Sequence, residues 1–210
     1  MTVPDLQPTL KSPLVTLRPI QKDDWPHMYK AASHPKTWAG HIHKDRYKED
    51  IFRPYFDGAL SSRSAFAIID NQTETIIGTS RYHDYKQAER EIEIGWTFLD
   101  CDYWGGVYNG EIKHLMLQHA FTFLDCVVFW VAQDNLRSQY AMKKIGGILR
   151  EGDFSNPRES SYSPMSYLKS TKTIFCLARL IAEAANAYYV ITRLVLVIHH
   201  EAYPLSPWSL

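Results

Sequence analysis

The chain has 210 residues, 45% of them apolar, and its 23 Lys plus Arg balance 23 Asp plus Glu, so the formal net charge is zero. That length fits one domain with a sizeable core, while the balanced charge offers no basic field for nucleic acid and no acidic tail favouring disorder. Three cysteines, Cys101, Cys126 and Cys176, are too few and odd in number for a disulfide framework, which points to a reducing, cytoplasmic setting.

The first residues, MTVPDLQPTLKSP, lack the basic start and apolar run of an export signal. Leu14 to Arg18 then reads as a first strand that Pro19 ends. Asp23 and Asp24 offer an N-cap, Pro26 suits a first helical turn, and Trp25, Met28, Tyr29 and Ala32 form one apolar face. Ser33-His34-Pro35 stops that helix. A second helical region runs from about Lys44 to Leu60, with Tyr47, Ile51 and Tyr55 at four-residue steps and a kink or split expected at Pro54. Ala65 to Asp70 and Thr75 to about His83 form an antiparallel hairpin around Asn71-Gln72-Thr73. The next strand, Glu91 to Leu99, alternates charged or small residues with Ile92, Ile94, Trp96 and Phe98.

After that strand comes a glycine-lined turn, Trp104-Gly105-Gly106-Val107-Tyr108-Asn109-Gly110-Glu111, and then a helix whose apolar residues are Ile112, Leu115, Met116, Ala120 and Phe123. Backbone N–H groups at a helix start have no intrahelical partner and carry the positive end of the dipole, so this turn suits a phosphate or pyrophosphate. An apolar strand opens at Cys126, Asn135 caps a short helix, and Gly146 closes it. Ile148 to Arg150 reads as a strand. Arg158 to Tyr162 is weaker, and 171–189 has helical spacing through Ile174, Leu177, Ala178, Ile181, Ala185 and Tyr188. Tyr189 to His199 reads as a final strand. Arg179, Glu183, Asn186 and Arg193 interrupt the late apolar stretch, so no membrane span is expected.

The two segments around the glycine turn and around Asn135 resemble the GNAT superfamily of N-acetyltransferases, in the branch of the ribosomal-protein alanine N-acetyltransferases. Its W-G-x-G-Y-x-x-E turn corresponds to Trp104 through Glu111, its N-x-x-S to Asn135 through Ser138, and its K-x-G to Lys144 through Gly146. The similarity runs over about residues 12–152. One departure lies in the turn, where Val107 stands at the second family glycine and Gly106 lies one place earlier; a backbone cradle keeps its N–H donors if Val107 holds a negative φ.

The resemblance implies an α+β fold with a mixed, mostly antiparallel sheet flanked by helices, over 1–168. It also implies that acetyl-CoA is the co-substrate and that its pantetheine arm enters between two splayed strands. On that reading Thr97, Phe98 and Leu99 pair with the arm through their backbone, and Trp104, Gly105, Gly106, Val107, Tyr108, Asn109 and Gly110 form the phosphate cradle. Asn135 and Ser138 face the coenzyme. Residues 169–210 match nothing in the family and read as a structural extension, packed on the domain or exchanged with a second copy in a homodimer.

An amine acetyl transfer needs a base for the amine proton and a way to stabilise the departing thiolate. Glu91 and Glu93 share a strand face two residues apart, and either both face solvent or one is the base; Glu93, nearer the turn, is the candidate. A tyrosine that many family members carry four residues before the closing glycine is Met142 here. Helical spacing turns Tyr140 away with Leu136, and leaves Ser138 as the hydroxyl directed at the coenzyme. The acceptor expected is a primary amine of a small molecule or of a protein N-terminus, with neither nucleic acid, membrane nor metal involved. A catalytically silent acyl-CoA-binding or interaction module is the alternative. His34, His41 and His43 lack zinc-site spacing. His119 reads as a packing residue, and Cys101 as a bystander.

Overall fold

The computed structural model describes residues 4–41, 43–132, 135–149 and 172–178. Strands β1 (Leu10–Lys11), β2 (Val15–Pro19), β3 (Ala65–Asp70), β4 (Ile76–Lys86), β5 (Glu91–Leu99), β6 (Cys126–Ala132), β7 (Ile148–Leu149) and β8 (Lys172–Ala178) form one sheet in the order β1-β2-β3-β4-β5-β6-β8-β7. Every pairing is antiparallel except β5 with β6. The mixed, mostly antiparallel architecture expected from the sequence is therefore present. No helix among the described residues is long and apolar enough to cross a membrane.

Helices cover both faces. On one face α1 (Trp25–Ala32), α2 (Pro35–Trp38) and α3 (Glu49–Ser62) bury Met28, Trp38, Phe52 and Phe56 against Ala65, Ala67 and Phe98. On the other, α4 (Tyr108–Ala120) sets Ile112, Leu115, Met116 and Ala120 against Leu17, Ile68, Ile92 and Ile94, with Met142 of α5 (Leu136–Lys144) joining them. Each apolar stripe meets the sheet because two layers are the least that removes both surfaces from water. His119 packs here beside the rings of Tyr82 and Phe123, its pKa lowered chiefly by burial, as a neutral packing residue.

Some local expectations change. Asp24 does not cap α1 with its side chain. It accepts from Arg18 at 2.8 and 2.6 Å and from the Gln21 N–H at 2.7 Å, which fixes the corner leading into the helix. The break in the second helical region falls at Lys48, where the backbone is extended, and α3 runs on through Pro54. Its aromatic face against the sheet outweighs the single hydrogen bond a proline forfeits.

The larger correction concerns 171–189, expected to be helical. Residues 172–178 are strand β8, which pairs with β6 from Cys126↔Ala178 to Ala132↔Lys172. A continuous apolar run carries both periods at once, and the edge of β6 supplies backbone partners that an isolated helix would not need. The other expectations placed on 150–171 and 179–210 lie outside the described residues.

Gly78 of β4 lies tight against β5. A Cβ there would sit 2.2 Å from the Phe98 carbonyl oxygen, a backbone atom that cannot turn aside. Gly78→Ala is expected to lower stability by about 1–3 kcal/mol, read as an earlier midpoint in urea denaturation, because the strands must part to admit the methyl.

Candidate active site

The site begins with a fault in β5. Between the pairs Thr79↔Phe98 and Arg81↔Gly95, β4 advances two residues while β5 advances three, so one extra residue is accommodated in β5. Trp96, at φ 53°, takes the strained conformation that this requires. The bulge changes which face each side chain meets. Ile92 and Ile94 lie in the core under α4, whereas Phe98 lies in the core with α1 to α3, and Trp96 packs against it. The single alternating face read from Ile92, Ile94, Trp96 and Phe98 is therefore broken at Gly95-Trp96.

Parallel pairing of β5 with β6 is confined to Glu91↔Cys126, Ile92↔Val127 and Glu93↔Val128. Beyond Glu93 the strands are no longer registered, which leaves a gap bounded by the second half of β5 on one side and Phe129 to Val131 on the other. The bulge accounts for this, since an extra residue bends its strand and increases its twist. The splay implied by the resemblance is thus present. Tyr55 Oη donates to the Trp96 carbonyl and ties the bulge to α3.

Glu93 is the last paired residue before the gap, and its side chain is 1% exposed. Strand alternation turns it away from Ile92 and Ile94, toward the face carrying α1 to α3. Glu91 is also buried but lies 3.4 Å from Lys86 Nζ as an ion pair. Neither glutamate faces solvent.

At the open end of the gap the chain passes through a 3-10 turn, Cys101–Tyr103, into the glycine turn. Gly105 has φ 77°, in the left-handed region, and a Cβ at Gly105 or Gly106 would meet nothing within 4 Å, so the space over the helix start is clear. Val107 is the N-cap of α4 at φ −81°, the negative value that lets its N–H serve the cradle. The first-turn N–H groups of Tyr108, Asn109 and Gly110 have no partner within the helix and carry its positive end. Trp104 donates its indole N–H to the Leu99 carbonyl at 3.0 Å, so that oxygen is already engaged.

Tyr108 fastens the turn to the hairpin: its Oη donates to Asp70 Oδ1 at 3.0 Å, and Thr73 Oγ1 donates to Asp70 Oδ2 at 2.7 Å. Burial alone would raise the Asp70 pKa, but these bonds and those from the Gln72 and Thr73 N–H groups hold it below its ordinary value. A carboxyl lowered on folding stabilises the fold above the ordinary carboxyl range and loses that contribution as the pH falls through its folded value. Acid thermal scans are expected to show this loss below about pH 4 in the native chain, and a flatter acid limb in Asp70→Asn.

On the opposite side, the Asn135 side chain accepts from the Ser138 N–H at 3.2 Å and caps α5. Ser138 is half-buried, Met142 is 5% exposed and Tyr140 is 68% exposed. Tyr140 thus points to solvent, as its helical position implies. Cys101 is buried with Sγ 3.6 Å from His34 Nδ1, the atom that also accepts from the Lys36 N–H and caps α2.

One residue escaped the sequence reading. Lys113, 4% exposed, projects from the second turn of α4 into the gap, donating Nζ to Thr97 Oγ1 at 2.9 Å and lying 5.5 Å from the Phe129 ring centre. Thr97 Oγ1 is in turn 2.7 Å from Ser80 Oγ. Burial lowers the Lys113 pKa to about 7. The available signal was a lysine immediately beside Ile112, within an otherwise apolar arc.

Comparison with known proteins agrees with the fold. The family described as an acetyltransferase (GNAT) domain matches residues 15–148. Among solved structures, a GCN5-related N-acetyltransferase from Brucella melitensis is similar with a TM-score of 0.72 and 18% identity, covering 86% of this chain and 85% of its own. A GNAT-family acetyltransferase from Bacillus anthracis has a TM-score of 0.65 and 20% identity, covering 81% of this chain and 98% of its own. A Vibrio cholerae protein described as a candidate ribosomal-protein-serine acetyltransferase gives 0.62 and 14%, covering 84% and 99%. No curated protein matches the chain.

Proposed function

Since the chain belongs to the GNAT acetyltransferase family, we propose that it moves an acetyl group from acetyl-CoA to a primary amine, by direct attack while both are bound. The observation that carries this reading is the gap that opens at Glu93↔Val128, with a clear, glycine-lined helix start at its mouth. Both features suit the coenzyme. The helix start offers N–H donors to a diphosphate, and the unpaired strand edge offers backbone groups to the amides of a pantetheine arm.

Acetyl-CoA supplies the activated thioester. The chain supplies position and proton management. Thr97 holds the arm along β5, while the N–H groups from Gly106 to Gly110 take the phosphates and Asn135 holds the start of α5 beside the gap. Glu93, at the apex and on the α1 to α3 side, takes the proton of an amine approaching from that side. The Ser138 hydroxyl is the donor offered to the departing sulfur in place of the tyrosine that Met142 replaces. A protein N-terminal amine and a small-molecule amine are both acceptor classes compatible with this arrangement.

Titration calorimetry with CoA, followed by a thiol-release screen of acetyl-CoA against a panel of amines, tests the proposal. Binding heat together with amine-dependent thiol release is the expected result, and Ser138→Ala is expected to slow release by about tenfold, the scale of one lost hydrogen bond to a charged group. Absence of binding heat overturns the reading. Binding without release for any amine favours the silent acyl-CoA-binding module.

A further inference from the structure

Lys113 is not required by the transfer described above, yet its placement is specific. Its Nζ touches β5 at Thr97 and lies over Phe129 of β6, and both residues lie beyond the last β5/β6 pair. It therefore spans the gap near its apex. Among the described residues no carboxylate is paired with it, and its polar partner is a hydroxyl that can either accept from an ammonium or donate to a neutral amine. Resting on the acetyl-CoA reading, we propose that Lys113 is itself an acyl acceptor, taking the acetyl group from coenzyme bound in the gap and so closing the gap to further coenzyme.

The chemistry balances without another reagent. The lone pair of neutral Nζ attacks the thioester carbonyl carbon; the new C–N bond forms, the C–S bond breaks, and the departing CoA sulfur takes the proton that Nζ releases. The products are Nε-acetyl-Lys113 and CoA thiol. A lysine held in apolar surroundings is nucleophilic near neutrality because its charged form is disfavoured, and burial brings Lys113 to about 7. Exposed lysines such as Lys11, Lys36 and Lys44 have no such surroundings. The product amide no longer carries a charge and adds an acyl group to the space between the strands. An amide does not transfer its acyl group onward readily, so the modification is a block rather than a shuttle.

The test is incubation of the full chain with acetyl-CoA alone, followed by intact-mass measurement and peptide mapping, with titration calorimetry of CoA on the same preparation before and after. The expected result is one acetyl group on Lys113, formed at least about tenfold faster than on exposed lysines because the donor is held beside it. Its rate should rise through pH 7, excess CoA should suppress it, and CoA binding should fall in proportion to the modified fraction. Lys113→Arg and Lys113→Met should both lose the preferential site while the slow background on exposed lysines persists. Acetyl groups on exposed lysines only, with CoA heat present, overturn this inference and leave the transferase reading standing. Equal modification of Lys113 by acetyl phosphate without coenzyme, at the same rate, also overturns it. No CoA heat removes both.

Discussion

Glu93→Gln is expected to reduce amine-dependent thiol release by roughly 10²- to 10⁴-fold, the range typical of a general base, while leaving CoA binding heat unchanged. The substitution keeps the shape of the side chain, exchanges one acceptor oxygen for an NH2 donor and removes the ability to take a proton. Its position makes this a sharp test. The carboxylate sits at the last β5/β6 rung, 1% exposed, on the face opposite Ile92 and Ile94 and therefore opposite α4. On the proposed reading, a coenzyme threaded from the glycine turn toward the apex would bring its reactive end to that rung, and an amine entering along the α1 to α3 face would meet Glu93 first. Glu91, held by Lys86, does not compete for the same proton. Kinetics with the best amine of the panel should show the loss in kcat/KM, with CoA binding as the control. An unchanged kcat/KM would assign proton removal to water and reduce Glu93 to a packing role.

What the sequence made legible, and what it hid, divides along a physical line. Periodicity reports local burial, so the hairpin, α1, β5, α4 and α5 were visible as stripes, and the glycine turn was visible because backbone freedom is written in residue type. The bulge was not. Gly95-Trp96 breaks no composition rule, and only pairing with Arg81 and Thr79 reveals that β5 carries one residue too many. Thr97 was therefore placed at the strand end without the information that it shares α4's side of the sheet. Strand β8 was hidden for a related reason: Ile174, Leu177 and Ala178 satisfy a helical period, and the vacant edge of β6 that decided the matter lies more than forty residues earlier in the chain. The site roles given to Asn135 and Ser138 came from motif spacing and resemblance, and the cap that joins them is the part of that reading that geometry supplies directly.

Lys113→Met is expected to stabilise the protein at neutral pH, raising its Tm by roughly 10 °C. A fall from 10.5 to about 7 corresponds to a penalty on the order of 4–5 kcal/mol on the charged form, and for a domain of this size each kcal/mol moves Tm by about 2–4 °C. Methionine fills similar space and needs no hydrogen bond. The sign follows from proton binding. Between about pH 7 and the ordinary lysine range the unfolded chain holds a proton on Lys113 that the folded chain has released, so the lysine protein gains stability as the pH rises through that window. Below pH 7 both states are protonated and the full cost of burying the ammonium beside a single hydroxyl is present. The Tm difference between variant and native chain should accordingly be largest at pH 6 to 7 and shrink steadily toward pH 10. All other titrating groups are common to both proteins, so the difference isolates Lys113. A difference that stays constant across that range would mean that the amine is solvated in the folded chain, and the gap between β5 and β6 would then be wet rather than a lined channel.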